Sequence, residues 1–350
     1  MHVFVYEWIT GGGLVEQAGR LPESLLAEGT AMTAALTADL LAIAGCRVTR
    51  LADHRLSEPL AERERVIEVH SESHRRAEFA VAAAEADYTV VIAPEFDRIL
   101  MRSFRAALEA GARPLGGSAE FIALASDKQR TAGRLAAAGV STPEAVLVPA
   151  DAERLPHDFR YPGVLKPLDG AGSQHTLLVE GPQDEPPPYP WPRRLERYCP
   201  GRAASAAFLC GPAGAVALPP CWQHQSTDGR FAYRGGAVID DPALAARAVA
   251  LAERALAALP AAYGYAGVDL VLGDAADGSD DAAIEINPRL TTSYVGLRAA
   301  VEGNLAEAMI AVHRGESTTM RPLELSVEFT AEGGVTTKPR LQATAAGEGA

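Results

Sequence analysis

Two short stretches towards the C-terminal end carry the residues best suited to hold a hard cation. VDLVL contains Asp269, and AIEINPR contains Glu285, Asn287 and Arg289. Glu285 and Asn287 stand two apart in an extended run, so both side chains leave the same face of a strand. Asp269, on the neighbouring strand, can reach that face. Two carboxylates and an amide oxygen form a donor set that suits Mg2+ shared with substrate phosphates. Val268, Ile284 and Ile286 around them are apolar, unlike an ordinary solvated hairpin. On spacing alone, an exposed polar hairpin face fits about as well. The acidic loop 274–281 between the strands fails the EF-hand register: with Glu285 in the last position, the turn glycine would fall on Ser279.

Positive charge is distributed unusually. Of the 32 basic residues, only Lys128, Lys166 and Lys338 are lysine. Where arginine serves every generic need, a retained lysine points to a place that requires a compact ammonium. Lys166 ends an apolar strand ahead of DGAGSQ, where Gly170, Gly172 and Ser173 let backbone N–H groups approach phosphate oxygens. The order is the reverse of a P-loop, and a β-turn beside a chance lysine is the plain alternative. Lys128 sits at a helix start, where a surface cation is slightly unfavourable against the helix dipole. Lys338 falls in a stretch that reads as loose. LERYCPG puts Glu196, Tyr198 and Cys199 on a strand running into a hinge at Gly201. In EWITGGG, the glycines Gly11, Gly12 and Gly13 allow close approach to a small anion, or form a tight turn. HQSTDGRFAYRGG offers Arg230, Arg234 and Gly235 as a substrate loop, or a hairpin turned at Asp228–Gly229.

These residues need elements to position them. The first part alternates apolar strands (3–6, 46–51, 88–93) with helices (30–44, 74–86, 99–110), which predicts an α/β fold with a parallel sheet covered on both faces. Ser126 and Gln129 have capping-box spacing ahead of a helix that stops at Gly139. Strands follow near 145–148, 163–167 and 175–179, then a proline-rich loop at 182–192. A helix is expected at 242–258, strands at 266–272 and 282–287, a helix at 296–313 and a strand within 322–330. A chain of 350 residues suggests two or three domain-sized units.

Composition removes several classes of function. The net charge of −13 disfavours a broad nucleic-acid surface, so any bound polyanion must meet a local positive site. No apolar run reaches the roughly 18 residues of a membrane span, and no basic segment precedes the first apolar stretch, so neither membrane nor export is expected. Cys46, Cys199, Cys210 and Cys221 form no CxxC pair and read as small hydrophobes in a reducing cytoplasm. His70 and His74 read as a solvated helix face, and His224 as a polar strand residue.

Taken in order, a lysine before a helix, a lysine before a glycine loop, a Glu-x-x-x-x-Gly hinge and paired Asp and Glu-x-Asn strands resemble the ATP-grasp superfamily over about 120–315. The resemblance implies a pre-ATP-grasp α/β domain (1–118), a lid subdomain (119–193) and a C-terminal grasp domain (194–330), followed by a flexible tail (331–350). It implies that Lys128 and Lys166 bind ATP phosphates under the loop of Gly170, Gly172 and Ser173. Glu196, with backbone near Tyr198 and Cys199, would read adenine. Asp269, Glu285 and Asn287 would hold Mg2+ or Mn2+, and Arg289 would face the transferred phosphate or the carboxylate it joins, with Lys166 as the other catalytic residue. GRAAS lacks the acidic residue that often contacts ribose in this superfamily. ESLLAEG, NPRLTTS and the two glycine segments narrow the resemblance to ligases related to the tyramine–glutamate type of methanofuran biosynthesis. That implies a small-molecule carboxylate and an amine as partners, amide formation through an acyl-phosphate, and neither nucleic acid nor membrane. Homodimers are common among such ligases. Other readings are an ATP-grasp kinase acting on a hydroxyl, a non-catalytic ATP-binding module, and a dinucleotide oxidoreductase. The last is weakened by the lack of GxGxxG after Val5.

Overall fold

In the computed structural model, which describes residues 1–56, 61–150 and 152–340, the apolar run after Met1 becomes the central strand of a parallel sheet. That sheet holds β1 (His2–Glu7), β2 (Arg47–Asp53), β3 (Glu64–Val69) and β4 (Tyr88–Ile92), in the order β3-β2-β1-β4. All three pairings are parallel. The alternation of β1 divides its side chains between two cores. Val3 and Val5 pack with α1 (Glu23–Ala42), while Phe4 and Tyr6 pack with Phe79 of α2 (Glu72–Glu85). α3 (Ile99–Glu109) follows β4. Sequence reasoning missed β3, whose ERVIEV is half polar because it lies at the sheet edge.

The first helix begins at Glu23 instead of residue 30, and Gly29 lies inside it. A Cβ there would stand 2.7 Å from the Glu7 carboxylate, so glycine lets the helix pass the end of β1. By length and composition alone, α1 is long and apolar enough to cross a membrane, although it contains no uninterrupted apolar run of that length. It packs against β1, β2 and two C-terminal helices as a core helix.

Next come α4 (Ala119–Ala125) and α5 (Lys128–Ala137). The cap of α5 is Asp127, which accepts from the Arg130 amide at 2.9 Å, and not Ser126. A carboxylate one residue later serves the orphan N–H groups equally well. β5 (Ala145–Val148), β6 (Gly163–Pro167), β7 (Leu177–Val179) and β8 (Arg193–Arg197) form a small antiparallel sheet, ordered β5-β8-β6-β7. Val148, Leu165, Val179 and Leu195 give it a core of its own.

The largest sheet is antiparallel. It contains β9 (Arg202–Gly211), β10 (Gly214–Ala217), β11 (Cys221–Gln225), β12 (Tyr233–Val238), β13 (Gly264–Leu272), β14 (Ala282–Asn287), β15 (Leu325–Thr330) and β16 (Val335–Pro339). Its order is β14-β13-β9-β11-β12-β15-β16, with β10 on β9. α6 (Pro242–Ala257) covers one face through Ala248, Leu251 and Ala255. α7 (Tyr294–Leu297) and α8 (Leu305–His313) cover the other. The single helix expected at 296–313 is therefore split. Asn304 caps the second piece by accepting from the Glu307 amide. Leu36 and Leu40 of α1 share one core with Leu209, Tyr294 and Phe329, which locks the parallel sheet to the large one.

The expectation of a loose tail from residue 331 is corrected over β16, where Lys338 lies opposite Ser326 of β15. All five β16 side chains are exposed, so no burial pattern announced the strand. Residues 341–350 of the expected tail lie outside the described residues.

Candidate active site

A cavity of about 220 Å³ opens between the small sheet and the large one. Its floor is the face of β13 and β14. Asp269 and Glu285 are direct cross-strand partners, and Asn287 lies opposite Gly267. The register slips between Asp269 and Leu270, a bulge that leaves Ile284 unpaired just beside the site. Asn287 Nδ2 donates to Asp269 Oδ2 at 3.0 Å, and Gln223 Nε2 from β11 donates to Oδ1 at 2.8 Å. Beneath them Val268 and Ile286 are buried against the α6 side, so the strands alternate between a dry face and a reactive one.

Both scarce lysines enter this cavity. Lys128 Nζ lies 3.1 Å from Glu285 Oε2 and donates to the Gly170 carbonyl at 3.1 Å. One ammonium thus joins α5, the acidic face and the glycine loop. Lys166 Nζ lies 2.6 Å from Glu196 Oε1, and Arg194 Nε donates to the other Glu196 oxygen at 3.1 Å. The Glu196 carboxylate, which also lines the cavity, is held by these two cations. Arg194 is braced in turn by Gln129 and the Pro143 carbonyl.

Burial and the adjacent Glu285 push the Asp269 carboxyl up to about 7. Burial acts on Glu285 in the same sense, but Lys128 and Lys166 outweigh it and hold that carboxylate below its ordinary range. Burial opposes charge on Lys128, yet Glu285 and Glu95 raise it above its ordinary value. Two facing carboxylates, one of them protonated near neutrality for want of a counter-charge, fit a divalent cation chemically. Among the described residues no group of three His, Cys, Asp or Glu side chains is arranged to hold a metal. The set here is two carboxylates and an amide, which leaves coordination for phosphate oxygens.

The remaining wall was only partly foreseen. Gly170, Gly172, Ser173, Tyr198, Cys199 and Arg289 all line the cavity. Arg289 forms a buried ion pair with Glu95, at 2.9 Å from Nε to Oε1. Glu28 of α1 accepts from Thr292 at 3.0 Å, and burial raises its carboxyl against the pull of Thr292 and Arg289. Sequence reasoning missed Gln223, Glu28, Glu95 and Thr292. Glu95 had a usable signal, since it follows the carboxyl end of a parallel strand, where α/β sheets place their sites.

Of the two expected substrate elements, the N-terminal glycines stay outside this cavity, whereas the β11–β12 hairpin borders it through Gln225, Phe231 and Tyr233 but not through Arg234 or Gly235. A Cβ on Gly11 would meet the Glu7 carbonyl at 2.5 Å, on Gly12 the Val69 side chain at 2.4 Å, and on Gly13 the Trp8 ring at 2.2 Å. These glycines permit a close-packed turn, and Gly13 borders a second opening apart from this cavity. Gly235 pairs with His224 and Thr330 in the sheet, and a Cβ there would stand 2.1 Å from the Phe329 carbonyl. Arg234, exposed beside it, lies on the β11–β12 hairpin away from the cavity lining.

Comparison with known proteins agrees with this geometry. Residues 46–122 match the pre ATP-grasp 3 domain and residues 125–293 match an ATP-grasp domain. A tyramine–L-glutamate ligase from Methanocaldococcus fervens is 27% identical over 67% of this chain and 69% of its own. A solved ATP-grasp superfamily protein from Archaeoglobus fulgidus superposes with a TM-score of 0.68, covering 94% of this chain and 92% of the other at 23% identity. An L-amino acid ligase from Bacillus licheniformis superposes with a TM-score of 0.66, covering 93% and 78% at 15% identity. The two domain matches adjoin, together span more than two thirds of the sequence and enclose the lysines and the acidic face, so the chain belongs to the ATP-grasp superfamily of ATP-dependent ligases.

Proposed function

We propose that this ligase joins a carboxylate to an amine with Mg2+-ATP, and that the pair is glutamate with tyramine or a related aromatic amine. The observation that carries the reading is the convergence of Asp269, Glu285, Asn287, Lys128, Lys166 and Arg289 on one cavity. The choice of substrates is supported by the Methanocaldococcus relative.

Asp269, Glu285 and Asn287 are the residues that would hold the cation, which when bound supplies neutralising charge to the triphosphate. Lys128 and Lys166 meet the phosphates as point charges, and both are preset by Glu285 and Glu196. The loop of Gly170, Gly172 and Ser173 closes over the phosphates, its backbone free to approach them. Arg289, held by Glu95, orients the carboxylate and the phosphoryl group passing to it. Catalysis of this kind works by positioning and charge stabilisation, so no nucleophilic side chain is required. The amine displaces phosphate from the resulting acyl-phosphate. Closure of the loop keeps water from doing so first.

The test is an ADP-release assay with Mg2+-ATP and glutamate against a panel of amines, with mass spectrometry of the product. Amine-dependent ADP release with formation of a γ- or α-glutamyl amide is expected. A stable phosphorylated hydroxyl product and no amide would contradict the reading.

A further inference from the structure

A second opening, of about 1030 Å³, lies between the glycine turn after β1 and helices α2 and α3. Nothing in the ATP cavity accounts for it. Its walls are predominantly apolar and hold three aromatic rings, Trp8, Phe79 and Phe96. Trp8 and Phe96 meet edge to face, with centroids 6.2 Å apart at 87°. Such a corner receives another aromatic ring by stacking and edge contacts. Its acidic residues are Glu16, Glu72, Asp97 and Glu109, against Arg75, Arg76 and Arg102. Arg75 and Arg76 both bond Glu72, so their guanidiniums are held at the wall, and the four carboxylates exceed the three guanidiniums by one. What remains is acidic on balance and suits an ammonium.

The opening adjoins the ATP cavity at a strained segment. After β4, Asp97 and Arg98 both take left-handed backbone conformations, with φ of 53° and 57°. Non-glycine residues hold such conformations only where the surroundings enforce them, and such sites cluster at functional centres. Three consecutive residues here do three things. Glu95 grips Arg289, the Phe96 ring lines the aromatic opening, and the Asp97 amide donates to Asp169 at the base of the glycine loop at 3.2 Å. Helix α1 repeats the pattern, with Leu25 lining the aromatic opening and Glu28 the ATP cavity. Gln174 borders both.

We infer that this aromatic opening is the binding site of the amine substrate, and that it selects an amine carried on an aromatic ring, with the nitrogen directed to the edge formed by Asp97 and Gln174. The inference rests on the ligase reading above and adds where the second substrate sits. The volume is that of a drug-sized ligand, far larger than ammonia needs, so ring-substituted aryl-alkyl amines are accommodated.

The test separates the two halves of the reaction. Hydroxylamine is small enough to trap the acyl-phosphate as a hydroxamate without an aromatic site. Tyramine is the probe for the opening. Phe96→Ala removes a ring, and Ala106→Trp fills the opening from an exposed position on α3, where folding is undisturbed. In both variants the ratio of kcat/KM for tyramine to that for hydroxylamine is expected to fall about tenfold or more. An unchanged ratio in both, with hydroxamate still formed, overturns the amine site and leaves the ligase reading standing. No hydroxamate from the wild-type protein with glutamate overturns the ligase reading, and the amine site with it.

Discussion

Two glycine-rich segments in this chain look alike in sequence and do opposite things. Gly11, Gly12 and Gly13 sit in contact with Glu7, Val69 and Trp8, and a methyl group on any of them would collide. Gly170 has nothing within 4 Å of where its Cβ would be, and Gly172 has only Leu25 and Glu28 at 3.6 and 3.9 Å. In the first turn glycine is there because space is short. In the second, space is ample and glycine supplies backbone freedom beside a cation-lined cavity. A glycine run therefore identifies a phosphate loop only when its surroundings are open and a lysine faces it. The comparison predicts that damage around the second segment costs chemistry at constant fold, and damage at the first costs fold.

The largest effects belong to the acidic face opposite the open loop. Glu285→Ala and Asn287→Ala are each expected to lower kcat/KM by roughly 10²–10³ or more, with circular dichroism and melting temperature near wild type. Full activity in either would remove the metal role from that face. Next comes Lys166→Arg, expected to lose about 10²-fold in turnover, because a guanidinium fork does not fit the point-charge site preset by Glu196. Wild-type turnover in this variant would show that the scarcity of lysine carries no chemical meaning.

The two glycine segments can be compared directly. Gly11→Ala is expected to cost about 1–3 kcal/mol of stability through overpacking, with the KM for ATP unchanged in the folded protein. Gly172→Ala, at φ +64°, strains a loop in open surroundings and is expected to raise the KM for ATP with a smaller loss of stability. The reverse assignment of effects would exchange the roles of the two turns.

The smallest effect is on pH dependence. Asp269 is raised in the folded protein to about 7 by burial and Glu285, with Lys128, Lys166, Asn287 and Gln223 also around the pair. A carboxyl whose folded pKa exceeds its unfolded value binds its proton more tightly in the native state. Its contribution to stability is present below the unfolded pKa and is lost as pH rises towards and through 7. Mg2+ with a nucleotide competes with that proton, so thermal stabilisation by subsaturating Mg2+ and nucleotide is expected to be larger at pH 8 than at pH 6. Equal or inverted shifts would place the proton elsewhere.

Much of the acidic face was legible because its signal is local. A period of two puts Glu285 and Asn287 together, and antiparallel pairing brings Asp269 across. The lysines were legible by type, since each stands out against 29 arginines. What sequence could not give was partnership across long separations. Glu95 with Arg289 and Glu28 with Thr292 join distant elements, and Gln223 reaches Asp269 across β9 within the large sheet; no spacing rule reaches that far. For the same reason the ion pair of Lys166 with Glu196 was not legible. Strands β3 and β16 escaped because each is an edge strand carrying polar or exposed side chains. The crowding at the N-terminal glycines is invisible in sequence, although Gly13 borders the second opening.

The most direct measurement is calorimetric titration of Mg2+ with a non-hydrolysable ATP analogue into the wild-type protein and into an Asp269→Asn/Glu285→Gln double variant, whose fold is checked in parallel. The arrangement described here predicts tight, Mg2+-dependent binding to the wild type, and binding to the variant that is at least about tenfold weaker and no longer responds to Mg2+. Equal, Mg2+-dependent affinity in the two proteins would contradict the assignment of the cation and its nucleotide to the paired strands β13 and β14.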